Sequence, residues 1–224
     1  MNRIETLNRE EILRYMGYRD SGLTERIEKL LDRCERETLE IIQPKYIYRK
    51  FPIEILEDRI LVSGTPLVLL GKDIREHLKN CKAIYLMGVT AGTLLDKRIR
   101  RYMVTEPDVG LVMDSCGIQA VEQIADMAEK EMEQLAEAQG CHLTWRFSPG
   151  YGDLPLETQR ELVEVLDTHR KIGVSLTDSC LMMPSKSVTA IVGLSDTKRD
   201  ERANKCDYCN NKSRCDFRKK GTRC

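Results

Sequence analysis

One stretch limits the fold more than any other. From residue 108 to 139 apolar side chains recur at helical spacing. Ile118, Val121, Ile124, Ala125, Ala128, Met132 and Leu135 fall on one face, and Gly140 stands where such a helix would stop. On both sides of it the period changes to that of strands. Upstream, Tyr46 to Phe51 alternates, Arg59 to Val62 is β-rich, and Ser63-Gly64-Thr65-Pro66 makes a turn before the short apolar run Leu67 to Leu70. Ala83 to Gly88 reads as a buried strand. Downstream, His142 to Phe147 and Ser187 to Gly193 read as strands, with a helix from Leu156 to Leu166 between them.

Shorter helices complete the pattern. Asn8 caps one through Glu10, Ile12 and Leu13. Ser21 or Thr24 caps a second through Ile27, Leu30, Leu31, Cys34 and Leu39, which ends before Pro44. Asp73 opens a third through Ile74 and Leu78, and a fourth carries the basic run Lys97-Arg98-Ile99-Arg100-Arg101. Strands and helices mix without strict βαβ alternation. The expected class is therefore α+β: a single mixed or antiparallel sheet with packed helices, and a helical N-terminal part over 1–45.

Bulk properties set the boundaries. The chain has 224 residues and no net charge, but residues 197–224 carry ten Lys/Arg against four Asp/Glu, which leaves the rest acidic. The expected division is a main domain over 1–196 and a basic, Cys-rich tail over 197–224. No apolar run approaches the roughly 18–20 residues that span a bilayer. The N-terminal residues lack an apolar export region, so the expected compartment is the cytoplasm. Nine Cys in a reducing compartment point to core thiols and metal ligation rather than disulfides. Cys34, Cys81, Cys116, Cys141 and Cys180 are expected in the core.

Two Gly-bearing loops are candidates for ligand binding. Met87-Gly88-Val89-Thr90-Ala91-Gly92 joins a strand to a helix, but its glycine spacing matches neither the P-loop nor the dinucleotide pattern, so packing is the better reading. Arg146-Phe147-Ser148-Pro149-Gly150-Tyr151-Gly152 is different. Pro149 biases Ser148 towards extended backbone, and Gly150 reaches angles closed to other residues. Bare backbone groups then stand beside a guanidinium that can fork onto a carboxylate. Taken alone, the same residues also read as a surface turn before a helix.

A second polar segment follows, Leu176-Thr177-Asp178-Ser179-Cys180-Leu181-Met182-Met183-Pro184-Ser185-Lys186-Ser187-Val188. In this order and separation, the two segments resemble the activation domain of cobalamin-dependent methionine synthase. That family pairs R-x-x-P-G-Y with L-T-[ED]-S-x-x-M-x-P-x-x-S-V. The resemblance covers roughly residues 60–195. It implies binding of S-adenosylmethionine and reductive methylation of cob(II)alamin, the cofactor itself carrying the hard chemistry.

Carried over by position, Arg146 would take the carboxylate of the methionine moiety. Backbone at Ser148 and Gly150 would meet adenine or ribose, with Tyr151 beside them, and Glu122 would face the ammonium or sulfonium charge. On local sequence alone, Glu122 is equally a solvated helix residue. The chain departs from the family in two ways. Gly193-Leu194-Ser195-Asp196-Thr197 stands where methionine synthases carry a Ser-His-Pro stretch and a Tyr, and no cobalamin, homocysteine or folate module is present. The resemblance thus implies a stand-alone protein with a separate cobalamin-dependent methionine synthase, or its cobalamin module, as partner. Whether such a protein transfers the methyl group itself or chaperones the reaction stays open.

The tail carries Cys206-x2-Cys209-x5-Cys215-x8-Cys224. Four thiolates at this spacing can close around one centre, and ligation would supply folding free energy that the few apolar residues cannot. Zinc and a [4Fe–4S] cluster both accept four Cys; the low-potential electron needed for reactivation favours iron–sulfur. Lys205, Arg214, Arg218, Lys219 and Lys220 would attract an acidic electron donor such as flavodoxin or ferredoxin. The competing reading is a zinc-bearing interaction or nucleic-acid-binding module. Only Tyr208 and Phe217 offer rings for stacking there, and the body is acidic, which speaks against nucleic acid.

Overall fold

The computed structural model describes residues 4–18 and 22–197. Helices α1 (Arg9–Tyr15) and α2 (Glu25–Ile41) come first, followed by strands β1 (Lys45–Ile55), β2 (Arg59–Val62) and β3 (Val68–Leu70). Next are α3 (Lys72–Leu78), β4 (Cys81–Thr90), α4 (Thr93–Thr105) and the long α5 (Pro107–Glu137). The chain then runs through β5 (His142–Leu143), α6 (Thr158–Leu166), α7 (Thr168–Ile172), β6 (Ser175–Leu176), β7 (Met182–Met183) and β8 (Ser187–Ser195). One sheet has six strands in the order β3-β2-β1-β4-β8-β5, and β6 and β7 form a separate two-stranded sheet. The class is α+β, as the mixed periodicities predict. No described helix is long and apolar enough to cross a membrane.

The chain divides into two compact units, each built from three segments. The first comprises residues 1–47, 89–128 and 168–188. Here the Asn8 side chain accepts from the N–H groups of Glu10 (3.1 Å) and Glu11 (3.3 Å) and so opens α1. Thr24 stands at the start of α2, whose buried face carries Leu31, Cys34 and Thr38. Arg33 pairs with Glu106 at 2.8 Å, and Arg98 pairs with Glu37. Gly92 packs rather than cradles. A Cβ there would lie 2.8 Å from Cβ of Gln43, whose N–H donates to the Ala91 carbonyl at 2.8 Å.

The second unit comprises residues 48–88, 129–167 and 189–197. Antiparallel pairing sets Ile53 opposite Val62 and Ile60 opposite Leu69, which turns these four side chains to a common side. Every residue of β4 except Lys82 is buried, the mark of a strand covered on both faces. β5 pairs antiparallel with the end of β8, His142 opposite Ser195 and Leu143 opposite Leu194.

Some expectations change. Along α5, Ile118 is half-buried and Leu135 is 45% exposed, while Met132 and Ala136 are fully buried. Beyond Ala128 the buried stripe advances in steps of four, so position 136 rather than 135 faces inward. Cys34, Cys81, Cys116 and Cys180 are core thiols as expected, but Cys141 is only half-buried, because it follows the turn that ends α5. The strand expected over His142 to Phe147 is regular for two residues only. Thr168 to Ile172 forms a short helix that its sequence did not announce.

Candidate functional site

The Arg146 loop grows out of an interrupted ladder. Beyond Leu143, Thr144 N–H still donates to the Gly193 carbonyl at 2.9 Å, in register with the pairs before it. An unbroken ladder would then set Phe147 opposite Ala190. Phe147 instead pairs with Ile191, exchanging hydrogen bonds of 2.9 and 2.8 Å. One extra residue is therefore accommodated at Trp145–Arg146, the arrangement of a β-bulge, which bends a strand and re-aims its side chains. This explains why the expected strand breaks where it does.

The bulge delivers Arg146 to the second half of α5. Its guanidinium lies 3.3 Å from the Glu129 carboxylate, and the two side chains are only 15% and 24% exposed. Half-burial strengthens such a pair relative to a surface salt bridge. Glu129 went unnoticed in the sequence. A signal was present, since it sits seven residues, two helical turns, after Glu122 and just past the buried Ala128.

Phe147 is buried and anchors the backbone directly after Arg146, with the Tyr151 ring 6.1 Å away in an edge-on arrangement. The turn then closes on itself: Tyr151 N–H donates to the Ser148 carbonyl at 3.0 Å and Gly150 N–H to the Leu154 carbonyl at 2.9 Å. Gly150 has φ +89°, which L side chains rarely adopt. Tyr151 projects into solvent, 59% exposed. Arg146, Ser148, Gly150 and Tyr151 thus lie on one turn of the second unit. Glu122 belongs to the first unit, where it is half-buried on α5.

The second polar segment belongs to the first unit and is held from below by a buried carboxylate. Asp96, 2% exposed, accepts from Ser185 N–H at 2.6 Å, Ser185 Oγ at 2.9 Å and Lys186 N–H at 3.4 Å. Ser187 Oγ is 2.8 Å from the Pro184 carbonyl and 2.9 Å from Thr90 Oγ1, and Ala91 N–H donates to the Lys186 carbonyl at 2.9 Å. Lys186 Nζ reaches Asp114 at 2.7 Å. The motif residues Pro184 and Ser187 therefore help to secure this segment. Upstream, Thr177 N–H donates to the Leu181 carbonyl at 2.9 Å and closes the turn between β6 and β7, with Cys180 at φ +62°.

Among the described residues no group of three or more His, Cys, Asp or Glu is arranged to hold a metal ion. The expected ligands Cys206, Cys209, Cys215 and Cys224 lie outside the described residues.

Residues 119–213 match the family model of the vitamin B12 dependent methionine synthase activation domain. That span contains both polar segments. Thirteen chains of solved structures match the fold. One is the crystal structure of the MetH reactivation domain bound to AdoHcy, with TM-score 0.60, 16% sequence identity, and coverage of 94% of this chain and 80% of that one. No curated protein matches the chain in sequence. The resemblance read from the two segments is borne out, and the fold is that of the reactivation domain.

Proposed function

We propose that this protein, carrying the methionine synthase activation fold, is a reactivation factor that binds S-adenosylmethionine at the Arg146–Tyr151 turn. In this reading it supports reductive methylation of cob(II)alamin in a separate cobalamin-dependent methionine synthase. One electron and the methyl group of S-adenosylmethionine convert cob(II)alamin to methylcobalamin and leave S-adenosylhomocysteine. The observation that carries the reading is the coincidence of the family match with the bulge at Arg146.

Arg146 takes the ligand carboxylate, because a planar guanidinium offers two parallel donors to it. Glu129 holds that guanidinium in place. Backbone at Ser148 and Gly150 meets the adenosine part, with Tyr151 beside it, and Glu122 answers the ammonium or sulfonium charge. The AdoHcy bound to the related reactivation domain supports a ligand of this chemical class.

In the tail, Cys206, Cys209, Cys215 and Cys224 would hold a metal centre, a [4Fe–4S] cluster in preference to zinc, which would supply one-electron chemistry with flavodoxin or ferredoxin as donor. The setting is the cytoplasm.

Calorimetry with S-adenosylmethionine tests the site: wild-type protein binds and Arg146→Ala does not. Equal binding by both would remove the site. Cob(II)alamin-inactivated methionine synthase, given reductant and S-adenosylmethionine, should recover only when this protein is added, and recovery without it would end the reactivation role. Anoxic purification decides the tail: a brown protein with about four irons per chain is expected for such a cluster, and a colourless protein with stoichiometric zinc would remove the iron–sulfur reading.

A further inference from the structure

We propose that α3 is a splint gripping both ends of the Arg146 loop, and that His77 and Asp153 are positioning residues for ligand binding. This role rests on reading the loop as the S-adenosylmethionine site. The Thr144–Gly193 pairing turns the Trp145 carbonyl away from β8, and β5 is the edge strand of its sheet, so the donors to that carbonyl must come from elsewhere. His77, near the C-terminal end of α3, supplies one: Nε2 is 3.1 Å from the Trp145 carbonyl oxygen and 2.9 Å from Thr144 Oγ1. A carbonyl can only accept, so Nε2 carries the proton. The imidazole lies 5.1 Å from the rings of both Trp145 and Phe147, which hold it in this orientation.

The other end of the loop is tied to the start of the same helix. Asp153 Oδ2 accepts from Lys72 N–H at 2.6 Å, and Oδ1 accepts from Asp73 N–H at 3.0 Å. These are first-turn donors with no partner inside the helix. α3 carries no capping side chain of its own, since its cap residue is Gly71. A Cβ at Gly71 would lie 2.5 Å from Asp153 Oδ1, so the loop's carboxylate fills the space a cap would take. Gly152 makes the reciprocal approach, with φ +52° and a hypothetical Cβ 2.3 Å from Asp73 Oδ2. One short helix thus fixes the chain at Trp145 and again at Asp153, and Arg146 to Tyr151 are strung between. Ordering the loop before the ligand arrives lowers the entropic cost of binding.

The test uses the full chain and the variants His77→Leu, His77→Gln, Asp153→Ala and Asp153→Asn. Trp145 is the only tryptophan, so its emission reports on the loop directly. Amide exchange at Phe147 and Gly150, whose N–H groups bond Ile191 and Leu154, reports on loop order. His77→Leu and Asp153→Ala should each weaken S-adenosylmethionine binding about tenfold, the scale of one lost hydrogen bond. Trp145 emission should shift, and exchange should accelerate at the loop but not in α6. His77→Gln keeps an N–H donor and should restore binding to within about threefold of wild type. Unchanged affinity and unchanged loop exchange in both variants would overturn the splint. Should wild-type protein bind no S-adenosylmethionine, the functional reading fails, and loop exchange alone then judges the splint by the same criterion. If His77→Leu loses its fold, Asp153→Asn on the solvent-facing end carries the test.

Discussion

Arg146 and Glu129 face one another at 3.3 Å, a bulged strand presenting the cation and a helix the carboxylate. A carboxylate beside a planar guanidinium fixes the plane in which its donors lie. Glu129→Gln keeps the shape and removes the charge. It should weaken S-adenosylmethionine binding about three- to tenfold while the fold survives, since surface and half-buried helix positions tolerate such changes. Arg146→Ala should abolish measurable binding. Calorimetry on the two variants, with thermal melts alongside, checks both outcomes.

Asp96 is a structural carboxylate rather than a ligand group. Its removal would strip acceptors from Ser185 and Lys186 N–H in one step. Asp96→Ala should therefore cost about 1–3 kcal/mol, the scale of losing hydrogen bonds to a charged acceptor. Urea titration measures the loss, and faster amide exchange over 182–188 should accompany it.

Gly193 is closed to any side chain for reasons of space. A Cβ would lie 2.6 Å from Cys81 Sγ, 2.7 Å from Leu78 Cδ2 and 2.9 Å from Thr144 Cγ2. Gly193→Ala should destabilise by about 1–3 kcal/mol through overpacking. Because Gly193 N–H also donates to Thr144 Oγ1 at 2.7 Å, the strain falls on the strand feeding the bulge. Thermal melting that matches wild type would refute this.

Alkaline pH should unfold the first unit early. Burial pushes the Cys34 thiol up to about 11 and pushes Cys116 up as well, since a thiolate there would lose its solvation. The folded state keeps protons that the unfolded chain releases near the ordinary thiol value. The stability this represents is complete below about pH 8.5 and is lost as pH rises towards 11. Denaturant midpoints between pH 8 and 11 should fall for wild type and fall less steeply for Cys34→Ala. In the same range iodoacetamide should modify half-buried Cys141 before Cys34.

Much of the fold was legible from local pattern. Asn8 caps α1 as its side chain suggests, β2 spans the residues that its β-branched run marks, and α2 stops before Pro44. These features depend on periodicity and on the angles that single residues permit. The strand over His142 to Phe147 was only half right, because strand propensity says nothing about where a ladder slips by one residue. Leu135 was misplaced for a related reason: with 3.6 residues per turn, positions 135 and 136 straddle the buried stripe, and packing chooses between them.

The sequence by itself determined that Arg146 precedes a Pro-Gly turn, that a second polar segment follows at a set distance, and that together they resemble one family. Those are properties of neighbours along the chain. Only the tertiary structure decided that Arg146 stands on a bulge, that Glu129 faces it, and that Asp153 caps a helix 80 residues upstream. Each of these follows from the register of β5 on β8 and the packing of α3 and α5. Register and packing are set by burying many side chains at once, a collective balance that no single segment encodes.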